Sequence, residues 1–277
     1  MPRLIHQTRS LRRLTSSLAM IALALVLVTP AHASPAAPAP RDVAAARRAL
    51  QAAVAQGSMQ DILATRARFA ALAAAAPKSA WAHYWVAVCD WRAAPRFDEK
   101  SKSLGEKTCA EGITEIGKAI ALMPTEGEFQ ALRSNLLGMS LQFHPSAMMT
   151  IGPEIEASMQ RALAASPSNP RVQLLAAINT LNKPAFIGGG ADKALPMFRK
   201  AQATFESAAP ADSTAPDWGL DDAWVWCGRA AMKLGDAATA RACYLKALEI
   251  TPGQAWVTHA LLPEADKALA GDTPSSK

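Results

Sequence analysis

The feature that most constrains the fold is a pattern of four positions that recurs along the chain. In its clearest copy, Ala240, Tyr244, Ala247 and Pro252 follow one another at steps of four, three and five residues. Steps of three and four keep side chains on one face of an α-helix, and a proline stops the helix soon afterwards. Such a helix has an aromatic residue between two small ones on one face, and it needs a second helix packed against that face.

The same steps occur four more times upstream of this copy. Each upstream copy keeps a large apolar residue at the second position, whereas the small residues and the closing proline vary. The four copies are Thr65–Phe69–Leu72–Pro77, Gly112–Ile116–Ala119–Pro124, Ile155–Met159–Ala162–Pro167 and Ala194–Phe198–Ala201–Glu206. Five copies of one helical face predict an array of similar units, in which each unit covers the apolar face of its neighbour.

A first helix precedes the clearest copy. Trp224, Gly228 and Ala231 fall on one face of a helix with 3.6 residues per turn. Gly235 follows a Lys-Leu ending, as a helix C-terminus prefers, and Asp236 is placed to cap the helix that follows. Residues 221–252 therefore predict two antiparallel helices, with small side chains where the two axes cross.

Residues 221–252 resemble the tetratricopeptide repeat. The residue types and spacings that carry the resemblance are those of Trp224, Gly228, Ala240, Tyr244, Ala247 and Pro252. Cys227 stands where the family has a large aliphatic residue, and Ala231 stands where it has a tyrosine. The resemblance implies a right-handed superhelical solenoid of about five antiparallel helix pairs over residues 42–270, with the best repeat at 221–254, a C-terminal capping helix and a disordered tail at 271–277.

The fold class is therefore predicted to be all-α. Runs of Val, Ile and Thr with period two are almost absent, which argues against a sheet. The units are longer than the family period of about 34 residues, and the excess falls in predicted connections at 93–102, 183–190 and 208–216. We also expect a kink or break at Gly152–Pro153 and an interruption of the last helix at Pro263.

The N-terminal segment has the features of an export signal. Its basic start consists of Arg3, Arg9, Arg12 and Arg13. The apolar run Leu18–Val28 is too short to span a bilayer comfortably, and Ala31-His32-Ala33 has the small residues of a cleavage site. We therefore expect a signal peptide at 1–33, cleaved near Ala33–Ser34, then a Pro/Ala linker at 34–41, and a periplasmic or secreted mature protein without a membrane span.

Removal of this segment changes the charge of the chain. The formal charge of +6 falls by the four arginines of the signal to +2, because the signal contains no acidic residue. The apparent basicity therefore belongs largely to the part that is removed, and binding to nucleic acid loses its main support.

No pattern typical of a catalytic or metal site is present. The predicted mature part has three histidines, His83, His144 and His259, which lie in separate units without metal-ligand spacing. The motifs of zinc proteases, serine hydrolases, redox dithiols and nucleotide-binding loops are missing. We therefore expect a non-enzymatic protein without a cofactor or a metal.

The four cysteines form two candidate pairs. Cys89 lies late in a first helix and Cys109 early in its returning partner, and Cys227 and Cys243 have the same relation. An oxidising compartment would permit two disulfides within repeats, Cys89–Cys109 and Cys227–Cys243. The alternative is four buried thiols that act as small apolar residues.

Aromatic residues are concentrated between Ser79 and Trp91. Trp81, Tyr84 and Trp85 belong to one helical stripe. This stripe either packs between neighbouring repeat helices or forms a platform on which a sugar ring or a peptide proline stacks.

The resemblance implies that a protein or peptide partner binds along a concave surface lined by first helices. In the first helix of residues 221–252, the predicted outward positions are Asp222, Val225, Trp226, Arg229 and Lys233. Arg229 and Lys233 are four residues apart and would hold a carboxylate together. The alternative for these residues is solvated charge, with Trp226 in a contact between repeats.

The predicted function is a non-enzymatic, protein- or peptide-binding scaffold of the bacterial cell envelope, and its partner and oligomeric state are left open. The alternative is a small-ligand-binding accessory component of an envelope transport system. That alternative requires an aromatic pocket around Trp81, Tyr84 and Trp85, whereas an open groove there favours the scaffold.

Overall fold

The computed structural model describes residues 40–208 and 216–271. The predicted signal peptide, the linker up to residue 39, residues 209–215 and the tail from residue 272 lie outside the described residues. Within the described ranges the chain forms eleven α-helices and no β-strand. The helices are α1 (Pro40–Gln56), α2 (Met59–Ala75), α3 (Ala80–Ala93), α4 (Lys102–Leu122), α5 (Gly127–Ser140), α6 (Met148–Ala165), α7 (Pro170–Asn182), α8 (Ala191–Ser207), α9 (Leu220–Lys233), α10 (Ala237–Ile250) and α11 (Leu262–Gly271).

Consecutive helices form five pairs, from α1–α2 to α9–α10, and α11 packs against α10. The first helices also contact one another, since α5 packs against α3 and α7, and α7 reaches α9. The predicted all-α array of about five helix pairs with a C-terminal capping helix is confirmed.

The recurring pattern explains where the second helices end. Four of them stop two residues before the prolines at 77, 124, 167 and 252. In each case the next backbone N–H bonds to the carbonyl of the third pattern position, which is Leu72, Ala119, Ala162 or Ala247. One local rule therefore terminates four helices in the same way.

The large residues of the pattern form the centre of each pair. Phe69, Ile116, Phe198 and Tyr244 are fully buried, and Met159 is nearly so. Their helices approach the first helices closely where small residues lie opposite, because a side chain at the crossing would hold the axes apart. At Gly228 an added Cβ would lie 2.3 Å from a ring carbon of Tyr244.

Two expectations concerned helix interruptions at prolines. α6 continues through Gly152–Pro153, so the helix does not break there. Pro153 lies in the N-terminal part of α6, and Met149, whose carbonyl loses its helical partner to the proline, is exposed. The last helix is irregular just before Pro263 rather than at it. A π-helical turn at Val257–Leu261 precedes α11, and the N–H of Leu262 bonds to the carbonyl of Val257.

The segment before α9 returns to the first two helix pairs. Trp218 is buried and its Nε1 donates to Tyr84 Oη at 2.9 Å. Arg47 of α1 forms an ion pair of 2.7 Å with Asp217. A helical repeat usually contacts only its neighbours in sequence, so these contacts bring α9 to a position that the repeat pattern alone does not predict.

Candidate functional site

The aromatic stripe of α3 is part of the core. Trp85 is 2% exposed and stacks on Phe69, with ring centroids 5.4 Å apart. Trp81 is half-buried and meets the ring edge of Phe129 at 4.8 Å. The space beside Tyr84 is filled by Phe129 and Trp218. The structure therefore places Trp81 and Trp85 in packing contacts between helices.

Asp222 and Val225 are not on an outward face, contrary to the expectation for α9. Val225 is 2% exposed and packs in the core. Asp222 is 5% exposed and accepts two hydrogen bonds from the guanidinium of Arg92 on α3, one of 2.6 Å. Asp222 points inward because it meets Arg92 of α3, and Val225 does so because it packs in one cluster with Val257 and Leu261 of the segment after α10.

Trp226, Arg229 and Trp256 form an accessible group that we call the tryptophan–arginine cluster. The guanidinium carbon of Arg229 lies 4.4 Å from the ring centroid of Trp226 and 5.1 Å from that of Trp256. The two indole rings meet edge to face at 6.3 Å. Trp256 is 42% exposed, so one ring of the cluster is open to solvent.

The guanidinium of Arg229 forms no ion pair with a described carboxylate, although the charge of Glu264 acts on it from a longer distance. Burial lowers its pKa, and the through-space effects of Tyr244 and Glu264 oppose that shift. No described carboxylate lies within ion-pairing distance of it. Lys233 is exposed one helical turn further along α9. The cluster therefore presents positive charge beside two flat apolar rings.

Local sequence explains how the cluster assembles. Trp226 and Arg229 are three residues apart on α9 and so share a face. Gly253 adopts a φ of 75°, which turns the chain after α10 into the final helical segment that carries Trp256. Trp256 was not among the site residues predicted from the sequence. Its position at the start of the helix that directly follows residues 221–254 is the feature that could have identified it.

A buried polar network joins the first helices near Tyr84. Glu128 of α5 is 1% exposed and accepts hydrogen bonds from Arg171 at 2.8 Å, from Asn169 at 3.0 Å and from Tyr84. Burial and then the charge of Glu128 raise the pKa of Tyr84 well above its usual range. The carboxylate is saturated by internal donors and inaccessible, so the network holds helices together and has no place for a substrate.

The four cysteines are free and buried in the structure. Cys227 and Cys243 face each other with their sulfur atoms 3.2 Å apart. Cys109 instead donates its thiol hydrogen to the carbonyl of Leu136 at 3.3 Å. A thiol–thiol contact therefore joins Cys227 and Cys243, whereas the thiol of Cys109 is bonded to a backbone carbonyl.

No group of three or more histidines, cysteines or carboxylates is arranged to hold a metal ion within residues 40–208 and 216–271. In the same ranges, every helix is too short or too polar to cross a membrane.

The described part of the chain has a TPR-like helical-repeat fold, as its likeness to two solved structures shows. It matches a thermophilic TPR protein from Thermus thermophilus at a TM-score of 0.56 and 17% identity, over 84% of this chain and 100% of that chain. It also matches the HusA haemophore from Porphyromonas gingivalis at a TM-score of 0.55 and 27% identity, over 75% of this chain and 91% of that chain. No protein-family model and no curated protein sequence matches the chain.

Proposed function

We propose that the chain is an exported, non-enzymatic binding protein whose ligand binds at the tryptophan–arginine cluster. The proposal rests on the position of Arg229, a partly buried cation that lies over two indole rings and forms no ion pair with a described carboxylate. A ligand that fits this cluster has a carboxylate beside a flat or apolar group.

The chemistry of the guanidinium and of the two indole rings explains why such a ligand would bind here. A guanidinium is weakly hydrated and presents its donors in a plane, so it binds a carboxylate through two parallel hydrogen bonds. Partial burial reduces the screening of its charge by water, which strengthens that bond. The indole faces supply apolar area that costs little conformational entropy when a flat ligand covers them.

The ligand class that we favour is a tetrapyrrole. The similarity to the HusA haemophore supports this choice. A tetrapyrrole such as haemin is a flat aromatic ring system with carboxylate side chains, so it would cover Trp256 while a carboxylate binds Arg229. Lys233 lies one turn away and is exposed, and it is placed to bind a second carboxylate.

The second candidate ligand is a peptide with a free carboxylate, bound by a cell-envelope scaffold. The tetratricopeptide-type fold and the position of Trp226 and Arg229 on a first helix support it. In this case Arg229 and Lys233 hold the carboxylate, and the indole rings pack against an apolar side chain. Trp81, Trp85 and Asp222 take no part in either proposal, because their side chains contact other helices.

The test is a titration of the purified protein with haemin, followed by absorbance of the bound tetrapyrrole. Replacement of Arg229 by Ala or of Trp256 by Ala should weaken binding about tenfold or more, which corresponds to about 1.4 kcal/mol. Arg161→Ala and Phe186→Ala are matched controls, because Arg161 and Phe186 are exposed residues of α6 and of the α7–α8 connection. Both controls should bind haemin as the unmodified protein does.

A parallel arm uses peptides that end in a free carboxylate and the same peptides with an amidated C-terminus. Binding of haemin but of neither peptide set supports the tetrapyrrole. Binding of free-carboxylate peptides alone, lost in Arg229→Ala, supports the scaffold. Equal affinities of Arg229→Ala, Trp256→Ala and the unmodified protein for every probe would show that the cluster is not the site.

A further inference from the structure

The thiols of Cys227 and Cys243 meet inside the α9–α10 pair. Their sulfur atoms are 3.2 Å apart, and the Cys243 thiol is directed at the sulfur of Cys227. The two side chains are 1% and 4% exposed. A disulfide has a sulfur–sulfur distance of about 2 Å, so a small approach of two helices already in contact is sufficient to form one.

We propose that Cys227 and Cys243 form a disulfide bond in the exported protein, and that Cys89 and Cys109 remain thiols. This bond joins the two helices of a single repeat and does not depend on the ligand proposed above, so it can be tested without any ligand.

The reaction is a thiol–disulfide exchange with an external disulfide, supplied by a disulfide oxidoreductase or by glutathione disulfide. The Cys227 thiolate attacks the external disulfide and releases one thiol. The Cys243 sulfur, after losing its proton, attacks the Cys227 sulfur and releases the second thiol. The protein loses two protons and two electrons, and the external disulfide is reduced to two thiols.

The surroundings of Cys227 favour the attacking thiolate. The hydrogen bond from Cys243 lowers the pKa of Cys227, and burial opposes this shift. Gln202 and Arg199 on α8 make smaller contributions that also lower it. A thiolate is the nucleophile in disulfide exchange, so a lowered pKa favours the attack by Cys227.

The other two cysteines lie in surroundings that suppress the same reaction. Burial and the charge of Asp90 raise the pKa of Cys109 to about 12, and the same two causes raise the pKa of Cys89 above its usual range. The thiol hydrogen of Cys109 is already donated to the carbonyl of Leu136. Cys227 and Cys243 face each other, whereas no thiol contact joins Cys89 and Cys109. The second pair therefore serves as an internal control for the first.

The first experiment maps the bonds in the full chain produced with export to an oxidising compartment. The protein is denatured in acid, its free thiols are blocked with N-ethylmaleimide, and trypsin then separates the four cysteines. The tryptic peptides are 79–92, 108–118, 201–229 and 242–246. Mass spectrometry should detect 201–229 linked to 242–246, and it should detect 79–92 and 108–118 with blocked thiols.

The second experiment measures thermal unfolding with and without a reductant. A bond between residues 16 positions apart restricts the unfolded chain, so reduction should lower Tm by about 5 °C or more. The Cys227→Ser/Cys243→Ser variant should not respond to the reductant, whereas Cys89→Ser/Cys109→Ser should respond as the unmodified protein does. Blocked thiols at both 227 and 243, even after incubation with glutathione disulfide, would overturn the proposal, and so would a linkage of 79–92 to 108–118.

Discussion

At the scale of single residues, Gly228 shows how one missing side chain sets the distance between two helices. The Tyr244 ring lies where a Cβ of residue 228 would be, so α9 and α10 approach closely only because the position is a glycine. The spacing of residues predicted small side chains where the axes of these two helices cross, and the contact of the tyrosine ring with Gly228 is what the structure adds. Gly117 on α4 has open space around its Cα.

The two glycines should therefore respond to alanine in opposite directions. Gly228→Ala should lower the free energy of unfolding by about 1–3 kcal/mol, because the tyrosine ring or the helix must move. Gly117→Ala should raise it by about 0.5–1 kcal/mol, because alanine loses less backbone entropy than glycine in a helix. Chemical denaturation of both variants checks the prediction. A gain in stability for Gly228→Ala would show that the crossing has room that the structure lacks.

At the scale of elements, the Asp90 carboxylate joins three helices. It is fully buried on α3 and accepts two hydrogen bonds from Arg66 of α2, which also binds Glu111 of α4 at 2.7 Å. Burial nevertheless raises the pKa of Asp90 from 3.8 to about 6, and Glu111 and Glu115 add to that effect. The folded protein therefore takes up a proton at Asp90 at a higher pH than the unfolded chain does.

This difference predicts a pH dependence of stability. Because the pKa of Asp90 is raised on folding, protonation of Asp90 stabilises the folded protein below about pH 4, and this contribution is lost as the pH rises through about 6. The stability of the unmodified protein relative to Asp90→Asn should therefore increase as the pH falls from 7 to 4, by roughly 2 kcal/mol. Denaturation curves of both proteins at several pH values measure the difference in their free energies of unfolding. The contributions of titrating groups that the two proteins share cancel in this difference. A constant difference would mean that Asp90 titrates normally.

The helices were the features of the structure that could be predicted best from the sequence. The positions of Phe69, Ile116, Phe198 and Tyr244, with the prolines that follow three of them, predicted second helices, their buried faces and their ends. Local backbone rules and one repeated face are sufficient for this, because each helix is covered by its sequence neighbours. Residue exposure on α9 was predicted less well. Asp222 pairs with Arg92, and helical spacing cannot show a partner 130 residues away.

At the scale of the whole described chain, the contacts of 217–222 with α1 and α3 distinguish this protein from a simple linear array. In such an array stability is a sum of local and nearest-neighbour contributions, so terminal units unfold independently. Here Trp218 packs beside Trp91 at 5.5 Å, and Arg92 lies over both rings. These contacts couple α3 directly to α9, which lies three pairs further along the chain.

Trp218→Ala should remove this coupling. The substitution deletes a buried side chain that contacts Tyr84, Trp91 and Arg92, so we expect a loss of about 3–5 kcal/mol. Hydrogen exchange measured by mass spectrometry should show α9–α11 exchanging faster than α3–α6 in the variant, and both regions exchanging together in the unmodified protein. Trp256→Ala removes an exposed tryptophan from the same C-terminal part and should leave the two regions coupled. Equal acceleration in α3–α6 and α9–α11 of Trp218→Ala would contradict the prediction, because it would show that the nearest-neighbour contacts alone still bind the array into one cooperative unit.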